Sequence, residues 1–134
     1  MPKFALIRIE QVKGKINFFK LVIDGTCEFD KFCQELDRAE TKKALFSIYA
    51  TMESVANLIR PPGTRFKELK GRKINDNVKD YEIKKDAFRV YLFKDEAGNV
   101  IVFGSSKNNQ KEDIARLRRL KEEFIKSGSH DNKR

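Results

Sequence analysis

The chain contains no tryptophan, one histidine, two cysteines and three prolines. Each shortage removes a class of chemistry. The sole histidine, His130, lies in a polar terminal stretch, so no imidazole is expected in an ordered catalytic or zinc site. Cys27 and Cys33 have no histidine pair near them, and Cys33 falls in an amphipathic helical pattern. Both read as reduced thiols, Cys33 packing as a small hydrophobe. No carboxylate cluster stands at metal-ligand spacing. A P-loop, a dinucleotide fingerprint and a nucleophile elbow are all missing, so neither a metal nor a cofactor is expected. No apolar run approaches the roughly 20 residues of a membrane span. The opening MPKFALIRIEQ lacks the apolar core and small-residue cleavage site of a secretory signal. These absences predict a cytoplasmic protein that does not engage a membrane.

Charge is what the sequence has in quantity: 29 basic and 20 acidic residues, a net +9 over 134 residues. Its placement is uneven. Residues 1–59 net +1, residues 60–94 net +6, residues 95–106 net −2, residues 107–121 net +4, and the remainder is neutral. Folded together, the two basic segments would make a face suited to a polyanion. With 40% hydrophobic residues, eleven of them Phe, the chain has material for one core.

Hydrophobic periodicity gives the order of elements. Residues 3–12 and 16–24 read as two strands joined at Gly14, a tight hairpin loop. A helix starting near Thr26 or Glu28 places Phe29, Phe32, Cys33 and Leu36 on one face. A second, from about Glu40 to Ile59, repeats Ala44, Leu45, Ile48, Met52, Val55, Ala56 and Ile59 at helical spacing. Thr41 is its candidate cap, and Pro61-Pro62 stops it. TRFKELKG is a short strand and residues 72–79 a polar loop. DYEIKK, FRVYLFKD and NVIVFGSS are strands with turns at Asp86-Ala87 and at residues 96–99. Phe88, Val90 and Leu92 alternate with Arg89, Tyr91 and Phe93. The last helix follows Asn108-Asn109, with Ile114, Leu117, Leu120, Phe124 and Ile125 as its stripe and Arg116, Arg118, Arg119 and Lys121 largely around it. Asn109 and Glu112 have capping-box spacing. Residues 127–134 read as a disordered tail.

The fold class is therefore α+β: a single small domain, mainly an antiparallel sheet. An N-terminal helix hairpin packs on one face, and a C-terminal helix ends the domain. The opposite face would be free to carry Lys67, Glu82, Arg89 and Tyr91. The strip from Phe66 to Lys111 is the candidate site. Without histidine, phosphodiester chemistry needs cations to hold phosphates and one or two groups to move a proton, and this strip contains both.

The ordered set F-K-x-L-K-G (66–71), Y-E-I-K (81–84), F-R-V-Y-L-F (88–93), V-I-V-F (100–103) and S-K-x-x-Q-K (106–111) resembles the RelE/ParE-like toxin superfamily. The nearest branch is the phage-derived RelE-like and HigB-like one. The likeness covers residues 17–126, and the strand at 3–12 is extra to it. It implies the toxin of a type II toxin–antitoxin pair: a metal-independent endoribonuclease cutting mRNA on the ribosome, restrained by a cognate antitoxin protein. ParE-like members act on gyrase instead. Carried onto this chain, the resemblance makes Lys67, Lys70, Glu82 and Arg89 the catalytic set, and Lys84, Tyr91, Lys107 and Lys111 RNA-binding. Lys84 stands where the family has arginine, Phe88 where it has tyrosine, and Asn108 where it has a second lysine. The C-terminal Tyr or His of some members has no counterpart.

Chemically, cleavage by internal attack needs the 2′-oxygen deprotonated, the non-bridging oxygens neutralised and the 5′-oxygen protonated. Arg89 suits a phosphate clamp because its planar fork matches two oxygens. Lys67 and Lys70 would stabilise the phosphorane. Glu82 is either the general base or the group that orients Arg89. Tyr91 either stacks on a base, acts as an acid, or packs as an edge aromatic. Lys107 either touches RNA or belongs to an ordinary loop. Two other readings stay open: a non-catalytic module that binds ribosome, nucleic acid or a gyrase-type target, and a phage-derived interaction protein.

Overall fold

The computed structural model of the chain describes residues 2–106 and 109–128. Two strands come first, β1 (Phe4–Arg8) and β2 (Phe18–Ile23), then helices α1 (Glu28–Leu36) and α2 (Lys42–Ala56). Strands β3 (Phe66–Glu68), β4 (Asp80–Lys85), β5 (Phe88–Asp95) and β6 (Gly98–Ser105) follow, and α3 (Gln110–Ser127) closes the order. The chain is thus a small α+β domain whose six strands form one sheet in the order β1-β2-β6-β5-β4-β3. All neighbours are antiparallel except β2 and β6, which run parallel.

Alternation in the central strands decides the layers. Val90 and Leu92 of β5 point to one face and Tyr91 and Phe93 to the other, and all four are fully buried. A strand apolar on both faces needs cover on both. The helix hairpin covers the first face, where Phe29, Phe32, Ile48 and Met52 meet Ile83, Val90 and Leu92. Helix α3 covers the second, where Leu117, Leu120 and Phe124 meet Tyr91, Phe93 and Val102. Each such buried side chain contributes about 1.5–3 kcal/mol by leaving water. The second face is therefore not free, because α3 lies on it.

A bulge adjusts the centre of the sheet. Tyr91 pairs with Phe103 and Leu92 with Ile101, so Val102 is an extra residue on β6. Val102 and Phe103 consequently both point toward α3. Gly104 then comes to face α1 so closely that a Cβ would fall 2.5 Å from the Phe32 ring.

Several local expectations are revised. Between β1 and β2 the chain makes a longer excursion than a tight hairpin. Ile9 and Val12 dip into the helix-covered core, and the Lys15 and Ile16 amides donate to the Ala56 carbonyl at the end of α2. Thr41 does not cap α2, since its hydroxyl donates to the Leu36 carbonyl at 2.7 Å. Asn109 makes no side-chain cap to α3. Helix α2 ends at Ala56, and Leu58 takes a left-handed φ of 62°, leaving Ile59 outside the core stripe and exposed. The β5–β6 turn tightens to Glu96 and Ala97, with Gly98 and Asn99 already in β6. Helix α3 continues through Ser127 to a left-handed Gly128, two residues that the sequence assigned to a disordered tail. Residues 129–134, His130 among them, lie outside the described residues.

The largest revision concerns the charges of α3. Lys121 is on the buried stripe and Ile125 off it. Asp80 at the start of β4 is fully buried, and Arg118 grips its two oxygens at 2.9 and 3.0 Å. Lys121 reaches the same carboxylate at 2.9 Å, Asp76 at 2.8 Å and the Val78 carbonyl at 2.6 Å. Burial pushes the Asp76 carboxyl up, but hydrogen bonds from Lys121 and the Val78 amide outweigh it and hold the group below its usual range. Arg116 pairs with Glu28 and lies 4.7 Å above the Phe103 ring. Three of the four cations expected around the apolar stripe are thus internal ties. Asp80→Ala leaves two cations facing a buried void, and we expect it to cost about 3–5 kcal/mol in urea unfolding. An unchanged midpoint would remove the clamp from this account.

Candidate nucleic-acid interface

Strand register fixes which of the predicted residues share a face. Lys67 lies opposite Glu82, Glu82 opposite Tyr91, and Tyr91 opposite Phe103. One row toward the end of the strands, Lys84 lies opposite Arg89 and Arg89 opposite Ser105. Directly opposed residues point to one side of a sheet. Lys67, Glu82, Arg89, Tyr91 and Lys84 therefore share the α3 face, and the first turn of that helix meets the row at Glu82. Lys70 does not join the row. It sits beyond β3 in the loop, where its carbonyl accepts from Arg118 at 3.0 Å. Lys111 is exposed on the first turn of α3. Lys107 lies outside the described residues.

The centre of the row is enclosed. Glu82 is 2% exposed. One carboxylate oxygen accepts from Gln110 Nε2 at 2.6 Å, and Arg89 Nε stands 3.9 Å from the other. Arg89 also donates through one terminal nitrogen to the carbonyls of Asp86 and Phe88, at 2.8 and 2.9 Å. It therefore braces the β4–β5 turn while facing Glu82. Tyr91 is fully buried, and neither its hydroxyl nor one oxygen of Asp113 on α3 has a hydrogen-bond partner among the described residues. Burial, with the Asp113 and Glu82 carboxylates nearby, pushes the Tyr91 phenol well above its ordinary value. As placed, this side chain is a protonated, packed aromatic and not a ring offered to a base.

The rim is open and basic. Between residues 65 and 85 every acid is engaged: Glu68 with Arg72, Asp76 with Lys121, Asp80 with Arg118 and Lys121, and Glu82 with Arg89. Arg65, Lys67, Lys70, Lys73, Lys79 and Lys84 make no ion pair among the described residues. The acids of this stretch are thus each tied to a cation, two of them to cations supplied by α3, while these six cations stay unpaired. Such an arrangement can hold phosphates at the rim and offers one carboxylate–guanidinium pair for proton movement or orientation.

Sequence reasoning missed Gln110 and Asp113 at the site, and Asp80 with its clamp. A usable signal for the clamp was present. Arg118 and Lys121 stand three apart on the same helical side as Leu117, Leu120 and Phe124, so cations entered the apolar stripe. Gln110 carried no comparable signal, since a polar residue in a first helical turn is ordinarily solvated.

No family model, no curated protein and no solved structure matches this chain. Among the described residues no group of His, Cys, Asp or Glu is arranged to hold a metal ion. No helix there is long and apolar enough to cross a membrane.

Removing the unpartnered hydroxyl tests the packing. Tyr91→Phe should leave stability unchanged or raise it by about 1 kcal/mol. The raised phenol also fixes a sign. Its stabilising share is intact below pH 10.0, the ordinary tyrosine value, and is lost as pH climbs from there toward the folded value. Chemical unfolding at neutral and alkaline pH should show a smaller alkaline loss in Tyr91→Phe than in wild type. A large destabilisation at neutral pH would mean that the hydroxyl has a partner.

Proposed function

We propose that this chain is a RelE/HigB-like toxin of a type II toxin–antitoxin pair, a metal-independent endoribonuclease acting on ribosome-bound mRNA. The observation that carries the reading is the register that gathers Lys67, Glu82, Arg89 and Lys84 on one sheet face beside a rim of unpaired cations. A phosphodiester on that rim would meet Arg89 as clamp, Glu82 as base or as orienter of the arginine, and Lys67 as stabiliser of the phosphorane and donor of the proton to the leaving 5′-oxygen. Strand, helix hairpin, antiparallel strands and terminal helix also occur in the order the resemblance implies. In this reading the antitoxin covers the basic face, and Lys70 and Lys111 extend it.

A non-catalytic RelE-fold module is the second reading. The enclosure of Glu82 by Gln110 favours it, since a base must reach the proton it removes. Induced expression of wild type and Arg89→Ala in a bacterial host, with mRNA 5′ ends mapped in both, separates the two. Growth arrest with new ends that fall about 10²–10³-fold in Arg89→Ala supports the nuclease. Arrest without new ends assigns a blocking or gyrase-type target. Unimpaired growth and translation in the wild type would overturn the toxin reading.

A further inference from the structure

The opposite face of the same sheet edge holds a second opening, a cleft of about 660 Å³. Its boundaries come from elements far apart in sequence: the loop before β2, the end of α2, β3 and β4, and the β5–β6 turn. Phe66 and Tyr81 contribute to it as a stacked pair, with ring centroids 4.8 Å apart and planes at 14°. Leu58 and Ile59, 67% and 60% exposed, contribute apolar surface. Large aliphatic side chains left in water beside a stacked aromatic pair suit a flat apolar ligand.

Charge narrows the class. Lys15, Arg60 and Lys94 line the cleft, and none makes an ion pair among the described residues. Asp95 and Glu96 line it too, and one Asp95 oxygen is already taken by the Ala97 amide at 3.1 Å. Three cations against two acids leave one unit of positive charge, the complement of a single phosphodiester. One flat ring carrying one negative charge is the description of a nucleotide unit within a strand.

We propose that this cleft binds one unpaired nucleotide of a single-stranded nucleic acid. The base lies among Tyr81, Phe66 and Ile59, and the phosphate lies toward Lys94, Arg60 and Lys15. Aromatic shelves edged by cations bind unstacked bases with little regard to sequence. The path between the two faces is short. Phe66 and Lys67 are neighbours on β3, a three-residue edge strand, with side chains on opposite faces. A strand crossing that edge passes from the basic rim to the cleft without meeting a further layer of the fold. The choice of a polymer over a free nucleotide rests on the reading of the other face as a nucleic-acid surface, whereas the base site itself stands on the cleft alone.

The test is a titration of isotope-labelled full-length protein, followed by amide chemical shifts, with a 5′-mononucleotide, a short single-stranded oligonucleotide and inorganic phosphate. We expect shifts at Leu58, Ile59, Tyr81 and Lys94 with both nucleotide ligands. The oligonucleotide should bind at least about tenfold more tightly, because it also meets the rim. Tyr81→Leu should weaken oligonucleotide binding about tenfold. Arg60→Gln with Lys94→Gln, exposed changes that spare the stacked pair, should weaken it several-fold and flatten its salt dependence. Equal shifts with phosphate alone, or oligonucleotide shifts confined to Lys67, Lys84 and their neighbours, would overturn the base site. Equal affinity for mononucleotide and oligonucleotide would overturn the strand path. None of these outcomes depends on cleavage. A failed Arg89→Ala comparison would sink the nuclease and leave this site standing.

Discussion

A buried carboxylate holds the working parts of this protein in place. Asp80 sits at the start of β4 with no exposed surface and takes both Arg118 and Lys121 from α3. An isolated carboxylate there would be costly to desolvate, so its two partners are bound to it as firmly as it is to them. The consequences spread outward. Arg118 also fixes the Lys70 carbonyl, and Lys121 fixes Asp76 and the Val78 carbonyl, so the polar loop between β3 and β4 is shaped by the helix that crosses it. With the body of α3 pinned this way, its first turn falls over Glu82, where Gln110 closes on the carboxylate.

That arrangement divides the charges of the chain into two populations. Acids between residues 65 and 85 are all held in ion pairs, Asp80 and Glu82 in the interior, on cations that come partly from α3. Lysines of the same stretch are left facing water. Because two of the acids, Asp76 and Asp80, take their cations from α3, the lysines of this stretch keep their charge free at the surface. The same division explains why the terminal helix, rich in arginine, is a structural element first: of Arg116, Arg118, Arg119 and Lys121, only Arg119 lacks an internal partner among the described residues.

Sequence legibility followed the range of the forces involved. Local patterns were read correctly: α1 and its apolar face, the alternation of β5, and the turn at Asp86, which takes a positive φ of 55°. The site's shared face was legible as a question, since alternation puts Arg89 and Tyr91 together but cannot say whether Lys67 and Glu82 join them. Register across β3, β4 and β5 answers it, and register is a non-local property. The misses were of three physical kinds. Caps failed at Thr41 and Asn109, because a side chain suited to capping found another partner or none. The sheet's second face was expected to be bare, although Tyr91, Phe93 and Val102 require a cover that only α3 can provide. Lys121 was placed with the solvated cations because a sequence carries no mark of a lysine whose carboxylate partner is some forty residues away.

The parallel pairing of β2 with β6 has a consequence for how the chain comes into being. Phe18 meets Asn99 and Lys20 meets Ile101, so the N-terminal ribbon cannot join the sheet until β6 has left the ribosome. Until then β2 has only β1 beside it, and Phe18 and Leu21 lie on a ribbon that is not yet part of the sheet. A two-stranded ribbon is marginal alone. Pairings of such long sequence separation are slow to form and expose sticky surface while they wait. Vectorial synthesis therefore delivers this protein as a late-closing fold, in which a strand near the end of the chain completes what the first strands begin.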